Sequence, residues 1–206
     1  MDQKTLHFLR LVVPGSFILV FAVGFFISIG ILDFDDLAVE ELASGVFAIV
    51  IGVFYRFSGI RERVNKQYFD RVNENIRSSL VRISGHVDDR EKFTWRRIRR
   101  VFYDLIDNDE SLKVLSKQVM FNGLFWTSAA DLTAIASIFL GASLLAAVTG
   151  FAHAIYAAIV YFACALIGVL WSRMATDRQV AYGNEQLELI VQKYAEELRT
   201  RVGNLA

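Results

Sequence analysis

Asp131 is the residue in this chain best placed to do chemistry. It lies in the tract from Gln118 to Trp171, which contains no Lys or Arg. An ionisable group inside a membrane span is costly, faces the bundle interior or water, and often marks a conduction or proton pathway. If a span begins at Leu124, the carboxylate sits about two helical turns in. If it begins at Leu132, the carboxylate is interfacial. Trp126 favours an interface near position 126, by the aromatic-belt tendency. A functional role and a helix-pairing or interfacial role both stay open for Asp131. Thr127, Ser128 and Thr133 share its stretch and are the positions that would line a conduit with it if several copies surrounded a pore.

A second group is basic. Arg96, Arg97, Arg99 and Arg100 surround the apolar positions Ile98, Val101, Phe102 and Leu105 of one helix. Guanidinium groups fork onto phosphate or carboxylate, so the cluster suits anionic lipid, a phosphate-rich ligand or an acidic protein partner. Lipid contact is the simplest of the three, with Phe93, Trp95 and Phe102 as headgroup anchors. Nucleic acid is not directly implied.

Catalytic signatures are sparse. His7, His86 and His153 are far apart and Cys164 is the lone cysteine, so no zinc spacing or disulfide framework occurs. The sequence has no Gly-rich phosphate loop, H-E-x-x-H or G-x-S-x-G. In His86-Val87-Asp88-Asp89 the aspartates read as caps for the next helix rather than as a cation site. The expectation is a chain with no catalytic residue, no metal and no cofactor, and not an enzyme.

These residues are positioned by long apolar tracts. Leu11–Leu32 is uncharged, and Leu42–Tyr55 extends through Phe57 past Arg56, which can snorkel to water. A third tract lies within Leu124–Val148 and a fourth runs Phe151–Trp171. About 20 apolar residues cross roughly 30 Å of hydrocarbon, so four transmembrane helices are predicted. The first is too long for a signal-peptide core and lacks a small-residue cleavage site, so it reads as a retained anchor. Basic residues lie only at Lys4 and Arg10, between Arg56 and Lys117, and after the fourth tract. The loop between the first two spans carries Asp33, Asp35, Asp36, Glu40 and Glu41 and no base. The positive-inside rule then places both termini and the middle segment in the cytoplasm. Of 22 acids, five in that loop and Asp131 are set aside; the other 16 face 22 bases, an inner excess of +6.

The predicted organisation is a first transmembrane hairpin over 1–57, a cytoplasmic helical module over 58–121, a second hairpin over 122–172 and a cytoplasmic C-terminal helix over 173–206. In the module, Val64, Tyr68, Val72, Ile76 and Leu80 recur every four residues as one helical stripe. Ser84 and Gly85 end it, Asp88 and Glu91 form a capping box, and Asp107–Asp109 supply another N-cap. Leu112, Leu115 and Val119 continue as one helix into the third span. Pro14 falls in the first turn or two of the first span, where it is tolerated. In the tail, Val180, Leu187, Val191, Tyr194 and Leu198 make a stripe for a short coiled coil or a helix lying on the module, and Gly183 is expected to interrupt it. Gly24 and Ser28, Ala48 and Gly52, Ser137 and Gly141, and Cys164 and Gly168 are small-x-x-x-small pairs that allow close packing within the chain or between copies.

In the order of its spans the chain resembles small four-span membrane subunits of bacterial antiphage defence systems of the Kiwa type. The resemblance rests on architecture and transfers no site residue. It implies a homo-oligomer in the bacterial inner membrane, a soluble cytoplasmic partner, and infection sensing or a membrane-disrupting response. The expected function is a non-catalytic sensor, anchor or scaffold that recruits or regulates a partner. The alternative is a subunit of an oligomeric pore or ion channel.

Overall fold

The computed structural model describes residues 3–33, 45–86 and 92–205. Among them all regular structure is helical: α1 (Gln3–Ser28), α2 (Gly45–Phe57), α3 (Ile60–Ile83), α4 (Trp95–Asn108), α5 (Glu110–Val148) and α6 (Ala154–Gly203). Helices α1, α5 and α6 are long and apolar enough to cross a membrane. The chain is a multi-pass membrane protein. Helix α2 is equally apolar, but its 13 residues reach only about 20 Å against roughly 30 Å of hydrocarbon. Residues 34–44 lie outside the described residues, and with them Asp35, Asp36, Glu40 and Glu41 of the acidic loop; Asp33 is described and exposed. The expected capping box at Asp88 and Glu91 also lies outside them.

Two compact units divide the chain, one of Met1–Lys66 with Leu124–Arg173, the other of Gln67–Gly123 with Met174–Ala206. In the first, α1 and α2 pack backbone to backbone. A Cβ on Gly15 would stand 1.7 Å from the Ala48 carbonyl oxygen, and one on Gly52 would stand 1.9 Å from that of Leu11. Only glycine permits this approach, which gives two helices the van der Waals contact that drives association in lipid. Helices α5 and α6 meet similarly, with Gly168 against Thr133 and the Ala129 carbonyl. Phe21, Tyr55, Ile135, Ala136 and Tyr161 form the core of this unit, and the Tyr161 hydroxyl donates to the Phe21 carbonyl at 2.7 Å. Large apolar side chains point the other way, with Val20 65% and Val148 86% exposed. That outward display suits a hydrocarbon environment. Ser137 and Gly141 are exposed, and among the described residues no atom lies within 4 Å of where a Gly141 Cβ would stand.

In the second unit the amphipathic α4 buries Ile98, Val101, Phe102, Leu105 and Ile106. Helix α6 contributes Leu187, Ile190, Leu198 and Val202 to the same buried set. The tail therefore lies on the helical module. Asn75 donates to Asn184 at 2.8 Å, and Asn122 reaches both the Ala175 carbonyl and the Gln179 side chain.

The structure corrects two expectations here and narrows a third. Gly183 does not interrupt the tail, because α6 runs through it and its open side lets Ile76 approach a Cβ position to 3.6 Å. The break comes at Tyr194 (φ −131°, ψ 17°). Val191 is exposed and Ile190 takes the core position, one residue out of the expected stripe. Asp109 alone of its aspartate run caps α5, accepting from the Leu112 backbone N–H at 2.8 Å. Its other oxygen takes Lys193 Nζ and the Tyr194 hydroxyl, both at 2.9 Å, which ties the kink in α6 to the start of α5. The hydrogen bond from Lys193, then those from Leu112 and Tyr194, hold the Asp109 carboxyl well below the usual carboxylate range.

Candidate functional site

The site around Asp131 begins with a proline. Helix α1 starts at Gln3, so Pro14 lies about three turns inside it rather than near its start. Proline has no N–H, so the carbonyl four residues earlier loses its helical donor. That carbonyl belongs to Arg10, and Arg61 Nη2 donates to it at 3.0 Å. Re-satisfying a freed backbone group from a neighbouring helix is what makes an interior proline tolerable in a span.

Arg61 reaches this position because α2 and α3 are joined by a tight turn. Gly59 takes a left-handed conformation (φ +66°), which glycine adopts without a Cβ penalty. Ser58 Oγ accepts the Ile60 N–H at 3.3 Å. Arg61 is then the second residue of α3, with its guanidinium turned into the bundle. On α5 the run around Asp131 is small, and Ala129, Ala130 and Ala134 are buried, which leaves room for a planar guanidinium. Arg61 Nε donates to Asp131 Oδ1 at 2.7 Å, and Nη2 donates to Oδ2 at 2.7 Å. The two side chains are 7% and 1% exposed. This is a side-on bidentate pair with charge-assisted hydrogen bonds at the short end of their range. Its two oxygens are engaged, so Asp131 is no free acid or base.

Other polar groups crowd the pair. The Tyr55 hydroxyl is buried beside the Asp131 carboxylate without completing a hydrogen bond of good geometry. The Arg10 and Arg56 guanidiniums lie within electrostatic range of one another, and Arg61 repels Arg10 as well. One turn along α3, Asn65 is fully buried with neither side-chain amide atom hydrogen-bonded, an arrangement that costs free energy.

The predicted lining residues near Asp131 are placed as follows. Thr127 Oγ1 donates to the Leu124 carbonyl at 3.0 Å, and Thr133 Oγ1 to that of Ala129 at 2.9 Å. Ser128 is buried, and Thr133 packs on Gly168. The structure thus brings Asp131 together with Arg61, which in the sequence is one basic residue among many.

The arginine cluster is separate and belongs to the second unit. Arg96, Arg97, Arg99 and Arg100 are all exposed on α4. Phe93 and Phe102 are 0% and 2% exposed, so they pack the unit's core and are not headgroup anchors. Trp95 leans on Phe102 and Tyr103 at ring-centroid distances of 6.5 Å. The Asp104 carboxylate on the same helix is taken by Arg201.

Comparison with known families, curated proteins and solved structures returns no match. Among the described residues no three His, Cys, Asp or Glu side chains converge as a metal site. His86 sits edge-on to Phe93 with Nδ1 3.3 Å from Ser84 Oγ, and His153 stacks near Tyr156. Cys164 is half-buried among the apolar residues around the membrane-unit core. The Asp131 site can hold helices together, and the α4 face can bind an anion.

Proposed function

We propose that this protein is a non-catalytic homo-oligomeric anchor of the bacterial inner membrane. In this reading the chain crosses the membrane four times, with both termini and the second unit in the cytoplasm. The α4 arginine face docks an acidic cytoplasmic protein, as part of a sensing response of the antiphage type that the span order suggests. The observation that carries the proposal is the exposure of Arg96, Arg97, Arg99 and Arg100 on a helix whose opposite face is core. Over residues 67–123 and 174–206 there are 15 Lys and Arg against 14 Asp and Glu, a balance of +1. The basic face is therefore a local concentration and not the overflow of a basic domain. With Phe93 and Phe102 buried, two of the three expected headgroup anchors are withdrawn into the core, which favours an acidic protein surface over lipid. The sealed Asp131 pair supports an anchor over a pore, because it leaves no free carboxylate to face a conduit.

The test is affinity purification of the full chain from native membranes in a mild detergent, beside the variant R96Q/R97Q/R99Q/R100Q. The expected result is a stoichiometric acidic soluble protein with the wild type, lost from a variant that keeps its own oligomer. A wild type that purifies without a companion, or a companion that stays with the variant, overturns the proposal.

A further inference from the structure

Between the second half of α1 and the first turns of α6 lies a cavity of about 620 Å³, lined by Val20, Phe21, Gly24, Ala157, Val160 and Tyr161 along its length, with Ser28, His153 and Tyr156 at one end. We infer that this groove is a binding site for one acyl chain of a zwitterionic, amine-bearing phospholipid, whose headgroup rests on His153 and Tyr156. The inference rests on insertion of these helices in a bilayer and not on the proposed partner of α4.

Three observations point to that occupant. The volume is within the roughly 300–1,000 Å³ of small-molecule sites, and the lining has their character, aromatic and aliphatic walls with a few polar groups at one place. The α1 wall from Val20 to Ser28 covers about 12 Å of helix axis, less than half the hydrocarbon thickness, so it takes the upper part of a chain. Gly24 lets α1 and α6 close at the floor: the Tyr161 hydroxyl lies only 2.9 Å from where a Cβ would stand, and it is spent on the Phe21 carbonyl. The floor is thereby apolar although it contains a tyrosine.

The polar end sets the headgroup. His153 and Tyr156 are exposed and their rings stack at 6.3 Å, which leaves an imidazole N–H and a phenol O–H as donors for a phosphate. Ser28 Oγ donates to the Phe25 carbonyl at 2.7 Å, so its oxygen serves only as an acceptor. No Lys or Arg occurs from Leu11 to Tyr55 or from Gln118 to Trp171, so this end offers no cation to a net-negative headgroup. Asp33, exposed five residues beyond Ser28, favours an ammonium.

Photolabelling tests this directly. The full chain is reconstituted in vesicles of equal phosphatidylethanolamine and phosphatidylglycerol, with a diazirine in the acyl chain of one lipid or the other. The expected result is labelling of Ala157 and Gly24 at least about threefold above Ile167 and Leu170, which are more exposed positions on α6 outside the groove, with the ethanolamine probe ahead. V160W fills the groove and is expected to abolish the excess. I159W places the same indole on a neighbouring exposed position outside the groove and is expected to preserve it. Even labelling of groove and open faces, or an excess that survives V160W, overturns the site. Equal labelling by the two probes overturns the headgroup assignment.

Discussion

Replacing Asp131 by Asn leaves the Arg61 guanidinium buried with its counter-charge gone. Both side chains are almost fully enclosed and joined by two bonds of 2.7 Å, so little solvent can compensate. Removing one partner of a buried pair costs about 3–5 kcal/mol. For a chain of this length each 1 kcal/mol lowers Tm by about 2–4 °C, so D131N is expected to lose about 6–20 °C. R61M should lose a similar amount, from the stranded carboxylate. The double variant R61M/D131L removes both charges and should recover most of the loss, because apolar replacements of a whole buried pair are often neutral. One deficit remains in the double variant: the Arg10 carbonyl, freed by Pro14, has lost the donor that Arg61 supplied. An unsatisfied buried acceptor costs about 1–3 kcal/mol. Adding P14A restores a backbone N–H at that position and should return that increment, although P14A in the wild type has little carbonyl to rescue. The assay is thermal unfolding of the purified protein in mild detergent, followed by circular dichroism across the full cycle. Single variants that each shift Tm by under 2 °C, or losses that simply add in the double variant, refute the reasoning.

Three further outcomes follow from particular contacts. G52A puts a Cβ 1.9 Å from the Leu11 carbonyl oxygen, an overpacking expected to cost about 1–3 kcal/mol, whereas G141A faces open space and should stay within about 0.5 kcal/mol; thermal stability of the two side by side decides it. The lowered Asp109 carboxyl stabilises the second unit at pH values above the ordinary carboxylate pKa, and that contribution is lost as pH falls through the depressed value. Acid titration of Tm should therefore show a steeper decline for the wild type than for D109N below about pH 4, and superimposable acid limbs would contradict it. G183L drives a side chain into Ile76, whose nearest atom is 3.6 Å from the Cβ position, and should loosen the α3–α6 contact, read as faster hydrogen exchange in residues 72–80.

Much of the helical layout was legible in the sequence because membrane spans announce themselves by length and by the absence of charge. The unbroken helix from Glu110 into the third tract, and a cap within Asp107–Asp109, were equally plain. Gly183 misleads, because a glycine inside a helix reads locally as a weak point, while here α6 runs through it with Ile76 of α3 packed at ordinary contact distance. The tail stripe is shifted by one residue, since Ile190 and Val191 are adjacent and equally apolar. The site was half visible. Asp131 stood out as a lone charge in an apolar tract, but its partner is 70 residues away and hidden among 15 bases between Arg56 and Lys117. A signal did exist: Pro14 frees the carbonyl of Arg10, and an arginine just past the Gly59 turn is a ready donor. Only the packing of α1, α3 and α5 connects them. The aromatic residues beside the arginine cluster mislead for a related reason, because Phe93 and Phe102 are as suited to a protein core as to a membrane interface.

The most direct test of the account is the side of the membrane on which the arginine face lies. With Cys164 replaced by Ser, single cysteines at Asp33 and at Tyr103, both exposed, can be reacted in intact cells with a membrane-impermeant maleimide. An anchor that presents α4 to the cytoplasm predicts that D33C labels at once and Y103C only after permeabilisation. Labelling of Y103C in intact cells, with D33C protected, contradicts it.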